Sequence, residues 1–369
     1  MEADKRGAEK KLNIIFVTSS LYLGGVQKVT YILADALAQR HSVTVAYCVD
    51  SGRSHPYSEK CGIRKLPEFN RNAGMPEKIR CIRRQADMLR KIKRELNADV
   101  TVSLGNIANL INALSKGTGK TACCERSNPK LSWGKNGQTI MTKFAFRRAD
   151  LVVFQSETVR NMFAKKIRRK SCILKNPVMI PEKACSCRKK KIVSLGRLTA
   201  QKNQTLLIRG FARFHKRHPE YTLRLFGEGE LEGPLRELIA SLDLSDSVFL
   251  EKNDPDVHSR IRDAEMFVLS SDFEGLSNAL LECMSMGIAC ISTACEGSRD
   301  VIRNGENGLL TRIGDEEGLA EAMCMLAEDP ELRCRIERQA REDMKAYDRY
   351  SVVNDWEKAI LACVDGLKE

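Results

Sequence analysis

Residues 266–291, MFVLSSDFEGLSNALLECMSMGIACI, divide into a strand, a loop, a helix and a second strand. Met266–Leu269 is a short apolar run closed by Ser270-Ser271. The loop Ser270–Asn278 is built from turn-forming Ser, Asp, Gly and Asn. Apolar residues then recur at helical spacing until Gly287, and Ile288–Ile291 is apolar again. Short apolar strands alternating with amphipathic helices are the pattern of a parallel sheet with crossover helices.

The same alternation extends in both directions. Upstream, strands are predicted at Ile192–Leu195, Leu223–Phe226 and Val248–Leu250. The first half offers Asn13–Thr18, a turn at Leu23-Gly24-Gly25, a helix from about Val26 to Gln39, and strands Val43–Val49, Val100–Leu104, Lys120–Cys124, Leu151–Phe154 and Ser171–Leu174. After Gly314 the chain reads as helical, ending in Tyr350–Gly366. The stretch Asn176–Lys191, with two prolines, two cysteines and five basic residues, reads as an interdomain linker. A chain of 369 residues suits two domains at ~150 residues each. The expected division is 1–178 and 179–349, with 350–369 packing back on the first domain.

Composition excludes several classes. Counts of 24 Gly and 10 Pro are ordinary for this length, against collagen-like or low-complexity chains. No apolar run reaches the ~18 residues of a membrane-spanning helix, and the N-terminal MEADKRGAEKK lacks a signal-peptide pattern. A cytoplasmic chain, peripheral on the inner face of the membrane, is expected. The 14 cysteines are scattered, with no paired CxxC knuckles and no His at zinc spacing, so they read as structural thiols.

Charge is uneven. Residues 1–181 hold 34 Lys and Arg against 14 Asp and Glu, a net of +20, whereas the remainder nets −7. A basic first half suits an anionic partner: nucleic acid, lipid headgroups or a phosphorylated substrate. Gly24-Gly25 lacks the GxGxxG spacing of a dinucleotide fingerprint, and Asp50 is a weak ribose ligand, which argues against a dehydrogenase. The glycine pair does allow close backbone approach to an anion at a helix N-terminus.

Three segments of the second half carry chemistry. In Ser194-Leu195-Gly196-Arg197-Leu198, followed by Gln201-Lys202-Asn203, a strand ends, Gly196 turns the chain, and Arg197 and Lys202 project beyond the strand's carboxyl end. Open α/β sheets bind ligands there, and a guanidinium with an ammonium makes a diphosphate clamp. Phe226-Gly227-Glu228-Gly229-Glu230 repeats the strand–turn–helix design. In the third segment, Gly275 and the following N–H groups read as a phosphate-binding helix N-terminus. Glu274 precedes that helix, with Glu282 about two turns in, ~10–12 Å along the axis. That separation suits the two ends of a folded sugar nucleotide better than a hydrolase carboxylate pair.

The order SLGRLTAQKN, FGEGE, FEGLSNALLE with Glu274 and Glu282 eight apart, then Gly297 and ENGLL, resembles family 4 retaining glycosyltransferases. The resemblance is specific over about 190–312. It is looser before that, where Gly24-Gly25, ERSNP (Glu125–Pro129) and KNP (Lys175–Pro177) sit at similar signatures. It implies the α/β GT-B fold, two Rossmann-like domains whose parallel sheets face a central cleft. It further implies that Arg197 and Lys202, with Gly24, Gly25, Gly196 and Gly227 around them, hold the donor diphosphate. Glu282 would take the ribose, Glu274 with the Gly275, Leu276 and Ser277 backbone the sugar hydroxyls, and the Glu251–Asp254 segment, with Lys252 and Asn253, the base. Arg197, Lys202 and Glu274 would be catalytic.

Relatives often carry a His where Cys124-Glu125-Arg126 stands, so no histidine role transfers; the five His (41, 55, 215, 218 and 258) read as lying elsewhere. Asp254-Pro255-Asp256 mimics a metal-binding DxD but reads as a turn opening a helix. No metal or other cofactor is expected, the nucleotide sugar being a co-substrate, with UDP-sugars favoured over GDP-sugars. The basic helix from Lys78 through Arg94, whose apolar stripe is read as Ile79, Ile82, Met88, Leu89, Ile92 and Leu96, offers Arg80, Arg83 and Arg84, with Arg126, to an anionic membrane or a polyprenyl-diphosphate-linked glycan acceptor. Two alternatives stay open: a GT-B-fold sugar-nucleotide epimerase, which needs acids and a His not placed by the sequence, and a nucleic-acid-binding protein, disfavoured by few aromatics and no recognised module.

Overall fold

A computed structural model describes residues 10–21, 24–49, 55–68, 73–126, 137–183, 185, 187–252, 254 and 256–366. The chain divides into two compact units, one of residues 1–177 and 352–369, the other of residues 178–351. Each is built on one wholly parallel sheet.

In the first unit the strands are β1 (Asn13–Ser20), β2 (Ser42–Val49), β3 (Cys61–Lys65), β4 (Val100–Leu104), β5 (Lys120–Cys124), β6 (Leu151–Phe154) and β7 (Ser171–Ile173), ordered 3-2-1-4-5-6-7. The second holds β8 (Lys189–Leu195), β9 (Thr222–Phe226), β10 (Val248–Glu251), β11 (Ala264–Leu269), β12 (Ala289–Thr293) and β13 (Leu309–Thr311), ordered 10-9-8-11-12-13. Both orders are doubly wound: the winding reverses between β1 and β4, and again between β8 and β11. Ligands of such sheets bind beyond the strand ends at the reversal, where adjacent crossovers leave on opposite faces.

Two details differ from the sequence reading. Lys189–Lys191, assigned to a linker, begin β8, pairing with Ala264 and Thr222 on its two neighbours. Edge strands β3 and β13 were not foreseen. Only Cys61 of β3 is buried and β13 has three residues, so neither has the apolar run that marks a central strand.

The final helix, Arg349–Asp365, buries Val352, Val353, Trp356, Ala359 and Ile360, all five in the core that includes β1, β2 and β4 of the first unit. Trp356 is almost wholly enclosed, and its indole N–H donates to the Lys175 carbonyl at 3.2 Å. His41 accepts the Leu12 N–H at Nδ1 (3.2 Å) while its Nε2 meets Glu357 at 2.7 Å.

Helix Asn106–Leu114 is tied to β4 and β5 by a buried polar network. Asn112 donates to the carbonyls of Thr101 and Ala122, and Asn109 to that of Cys124. The fully buried Lys93 donates to Asn112 Oδ1 at 2.9 Å. Burial lowers the Lys93 pKa to about 8. The folded state therefore binds this proton more weakly than the unfolded chain, and the lysine's contribution to stability rises as pH climbs from about 8 toward 10.5. Lys93→Met lacks this term, so its stability relative to the parent falls through that window by ~1.4 kcal/mol per pH unit. Paired thermal melts at successive pH values check this, since the buried thiols common to both proteins cancel. A difference independent of pH contradicts it.

Candidate active site

The second unit gathers four loops at the carboxyl edge of its sheet. The loop after β8 lies backbone to backbone on the loop after β9: Gly196 N–H donates to the Phe226 carbonyl (3.0 Å) and Leu198 N–H to that of Glu228 (3.0 Å). A Cβ at Gly227 would stand 1.9 Å from the Gly196 carbonyl oxygen, so only glycine fits. A Cβ at Gly196 would press on Lys202 Cε at 3.0 Å. Beyond β12, a Cβ at Gly297 would lie 1.6 Å from the Gly275 carbonyl oxygen, which packs the short helix Glu296–Arg299 directly on the loop after β11.

The loops after β8 and β11, which flank the reversal of winding, are stitched by side chains. Asn203, in the left-handed conformation (φ +45°), caps helix Gln204–His215 by accepting the Leu206 N–H at 3.2 Å. Its Nδ2 donates to Asp272 Oδ1 at 2.8 Å. Gln201 donates to the Phe273 carbonyl (3.0 Å), Ser270 to that of Lys202 (2.9 Å), and Asp272 N–H to that of Gln201 (3.0 Å).

On this framework Lys202 Nζ meets Glu274 Oε1 at 2.5 Å, both side chains largely enclosed, and Ser271 Oγ donates to the same oxygen at 3.0 Å. Two residues 72 positions apart are thus brought together at the place where open α/β sheets bind ligands. Arg197 is exposed and makes no ion pair among the described residues. Gly275 and Leu276 are half-buried, and Ser277 is buried.

The helix after this loop runs Asn278–Ser285. It is capped by Ser277, which accepts the Leu280 N–H at 3.4 Å, and stopped by Gly287 (φ +67°) with bonds from Gly287 N–H to Met284 and Ile288 N–H to Cys283. This corrects the expected start at Gly275: Glu282 lies about one turn in, ~6 Å along the axis, rather than two. Its carboxylate meets His258 Nε2 at 2.7 Å. His258 was read as lying away from any site. It sits on the single-turn helix Val257–Ile261 between β10 and β11, and no spacing in the sequence links it to Glu282, since only the winding of the sheet juxtaposes them.

Around the expected base pocket, Lys252 is exposed and Asn253 lies outside the described residues. Glu251 bonds Arg224 (2.6 Å) and Arg260 (2.8 Å). Burial raises its pKa, but the two guanidinium groups outweigh burial and hold it below the usual carboxylate range. In the DxD mimic, Asp254 accepts the Asp256 N–H at 2.8 Å and Asp256 the Ser259 hydroxyl at 2.6 Å. Both carboxylates thus serve a turn and a helix start.

The remaining candidates lie in the first unit. Gly24 is the N-cap of helix Gly25–Leu37, in extended conformation. The basic helix, Met75–Glu95, buries Cys81, Gln85, Ala86, Leu89, Ile92 and Lys93. The predicted stripe therefore needs correction: Ile79 and Met88 are exposed, because the face toward the sheet includes the apolar stems of Gln85 and Lys93. Arg80, Arg83 and Arg84 are exposed on the outward side with Ile79. Arg126 follows β5. Its Nη1 and Nη2 are shielded from solvent with no hydrogen-bond partner among the described residues, and burial lowers its pKa to about 10. Residues 127–129 of the ERSNP signature lie outside the described residues.

Two doubly wound parallel sheets, one carrying a cation–carboxylate pair at its reversal point, fit the architecture of a glycosyltransferase. The comparisons agree. Residues 23–179 match the model "Glycosyltransferase Family 4" and residues 180–343 the model "Glycosyl transferases group 1". The chain is an enzyme of glycosyltransferase family 4, with the GT-B fold.

A relative from Campylobacter jejuni, N-acetylgalactosamine-N,N'-diacetylbacillosaminyl-diphospho-undecaprenol 4-alpha-N-acetylgalactosaminyltransferase, is 29% identical over 293 residues, 74% of this chain and 79% of that one. A second from the same organism, GalNAc-alpha-(1->4)-GalNAc-alpha-(1->3)-diNAcBac-PP-undecaprenol alpha-1,4-N-acetyl-D-galactosaminyltransferase, is 24% identical over 359 residues, 95% of this chain and 98% of that one. Among solved structures, Anabaena HepE in complex with UDP and glucose superposes with a TM-score of 0.81 at 15% identity, covering 95% of this chain and 100% of that one.

Proposed function

We propose that the enzyme transfers a hexose or N-acetylhexosamine from a UDP-sugar, with retention of anomeric configuration and without a metal ion, to a polyprenyl-diphosphate-linked glycan. The observation that carries this reading is the Lys202–Glu274 pair at 2.5 Å at the reversal of the second sheet. The choice of acceptor is supported by the polyprenol-linked substrates in the names of the Campylobacter relatives, and the choice of UDP by the HepE complex.

The chemistry follows from charge. As the anomeric C1–O bond breaks, its electrons move onto the β-phosphate oxygen. Lys202, Arg197 and the positive end of helix Asn278–Ser285 neutralise that charge in place of a metal. The acceptor hydroxyl attacks C1 from the face the diphosphate leaves, and its proton passes to the departing phosphate oxygen. Glu274, held by Ser271, exchanges its bond to Lys202 for the donor's sugar hydroxyls. Glu282, oriented by His258, takes the ribose diol.

A thermal-shift panel of UDP- and GDP-sugars in EDTA tests this. Stabilisation by UDP-sugars alone is expected, ~2.7 kcal/mol at about 100 times the dissociation constant, and lost in Lys202→Ala. Stabilisation that requires a divalent metal, or that comes from GDP-sugars, contradicts it.

The basic helix Met75–Glu95 supports docking on an anionic leaflet, because Arg80, Arg83 and Arg84 stand beside exposed Ile79. Each cation near such a surface contributes ~1 kcal/mol. Reversing all three to Glu is expected to lower binding to anionic vesicles by at least ~100-fold at physiological salt, read by flotation. Equal flotation of the parent and the variant contradicts the membrane role.

A further inference from the structure

At the end of helix Gln204–His215 far from Lys202, ~18 Å along the axis, three side chains of different chemistry converge. One ligand atom each from His218, Cys324 and Glu328 lies within 4.8 Å of the others. Cys324 and Glu328 are one turn apart on helix Glu316–Glu328, and His218 stands in the turn facing them. We propose that His218, Cys324 and Glu328 form a zinc(II) site, completed by water, that clamps this helix to the turn after helix Gln204–His215.

The donor set selects the metal. A thiolate with an imidazole and a carboxylate suits zinc, whereas magnesium and calcium take oxygen ligands. Bonds of ~2.0–2.3 Å place tetrahedral ligands roughly 3.5 Å apart, which small side-chain rotations reach from the present separations. His218 is already oriented. Its Nε2 meets Glu328 Oε1 at 2.9 Å, and its Nδ1 lies 3.7 Å from Glu220 Oε1. With Nε2 on the metal, a small rotation would bring Nδ1–H, now 3.7 Å away, within hydrogen-bond reach of Glu220 and complete a carboxylate–histidine–metal arrangement that fixes the ring. The ring also stacks on Phe214, centroids 4.9 Å apart. Arg217 bonds Glu328 Oε1 at 2.6 Å, but a carboxylate has about four lone-pair sites, and the set of Cys324, Glu220 and Glu328 leaves a net negative charge beside it. Binding transfers the Cys324 thiol proton to solvent, so affinity rises with pH.

The test uses cobalt(II) as the spectroscopic probe and zinc(II) as competitor, in a full-length parent carrying Cys185→Ser, Cys187→Ser and Cys334→Ser to remove the more accessible thiols. One equivalent of cobalt is expected to bind with a near-ultraviolet thiolate charge-transfer band that zinc abolishes, and zinc is expected to raise the melting temperature. Cys324→Ser removes both signals. Glu328→Gln, an exposed change that leaves the core intact, weakens cobalt binding at least tenfold, and Glu220→Gln ~10-fold. A parent with no charge-transfer band, a band that survives Cys324→Ser, or Glu328→Gln and Glu220→Gln affinities equal to the parent's would overturn the site. None of these readouts depends on sugar transfer.

Discussion

Lys202→Ala is expected to lower kcat/KM by ~10²–10³-fold, the loss that follows removal of one preorganised donor to a developing negative charge. Lys202 is held in place by Gly196 packed against its stem, by Ser270, which donates to its backbone carbonyl, and by the adjacent Asn203–Asp272 bond. The substitution also strips Glu274, largely enclosed, of its ion pair at 2.5 Å, and an enclosed charge without its partner destabilises the fold. The double variant Lys202→Ala/Glu274→Gln separates the two effects when it is read by affinity for UDP, which lacks the sugar that Glu274 would contact. Removing the orphaned charge restores the melting temperature while UDP affinity stays low. Recovery of UDP affinity along with stability would mean that Lys202 only holds the loop.

Gly297→Ala is expected to lower kcat/KM by ~10²-fold although Gly297 has no assigned contact with the donor. The added Cβ would fall 1.6 Å from the Gly275 carbonyl oxygen and 2.3 Å from its carbon. Neither atom belongs to a flexible side chain, so the backbone of the loop after β11 has to move. That loop carries Glu274 and leads into the Ser277 cap, and a misplacement of ~1 Å at a reacting centre costs about that factor. The check is a kinetic comparison together with UDP affinity, both of which fall. Gly233→Ala, whose Cβ meets nothing within 4 Å, serves as the control and leaves both unchanged.

What the sequence made legible follows from local physics. Buried strands such as Val100–Leu104 and Lys120–Cys124 were located to the residue, because burial between helices favours short runs of apolar and small side chains almost without charge. Arg197, Lys202 and Glu274 were visible as polar groups in the loops after such strands, and Glu282 on the helix that follows the second of those loops. What could not be read depends on contacts between distant segments. Edge strand β3, CGIRK, has one buried residue and no periodicity. His258 meets Glu282 only because the crossover after β10 returns beside the helix after β11. The steric need for Gly297 belongs to a loop 22 residues upstream. The apolar stripe of Met75–Glu95 was misplaced for a related reason: Gln85 and Lys93 are buried through neighbours, Pro67 and Asn112, that the helix pattern does not reveal.

In the proposed function, cations and amide dipoles at the reversal of the second sheet bind the donor's diphosphate. Calorimetric titration of the EDTA-treated enzyme with UDP and with uridine measures that contribution alone, since the two ligands share base and ribose. UDP is expected to bind at least ~100-fold more tightly, from two charge-assisted contacts of ~1.5–3 kcal/mol each, and Lys202→Ala should erase about half of that free-energy gap. Equal affinities for UDP and uridine, or a gap unchanged in Lys202→Ala, would contradict it.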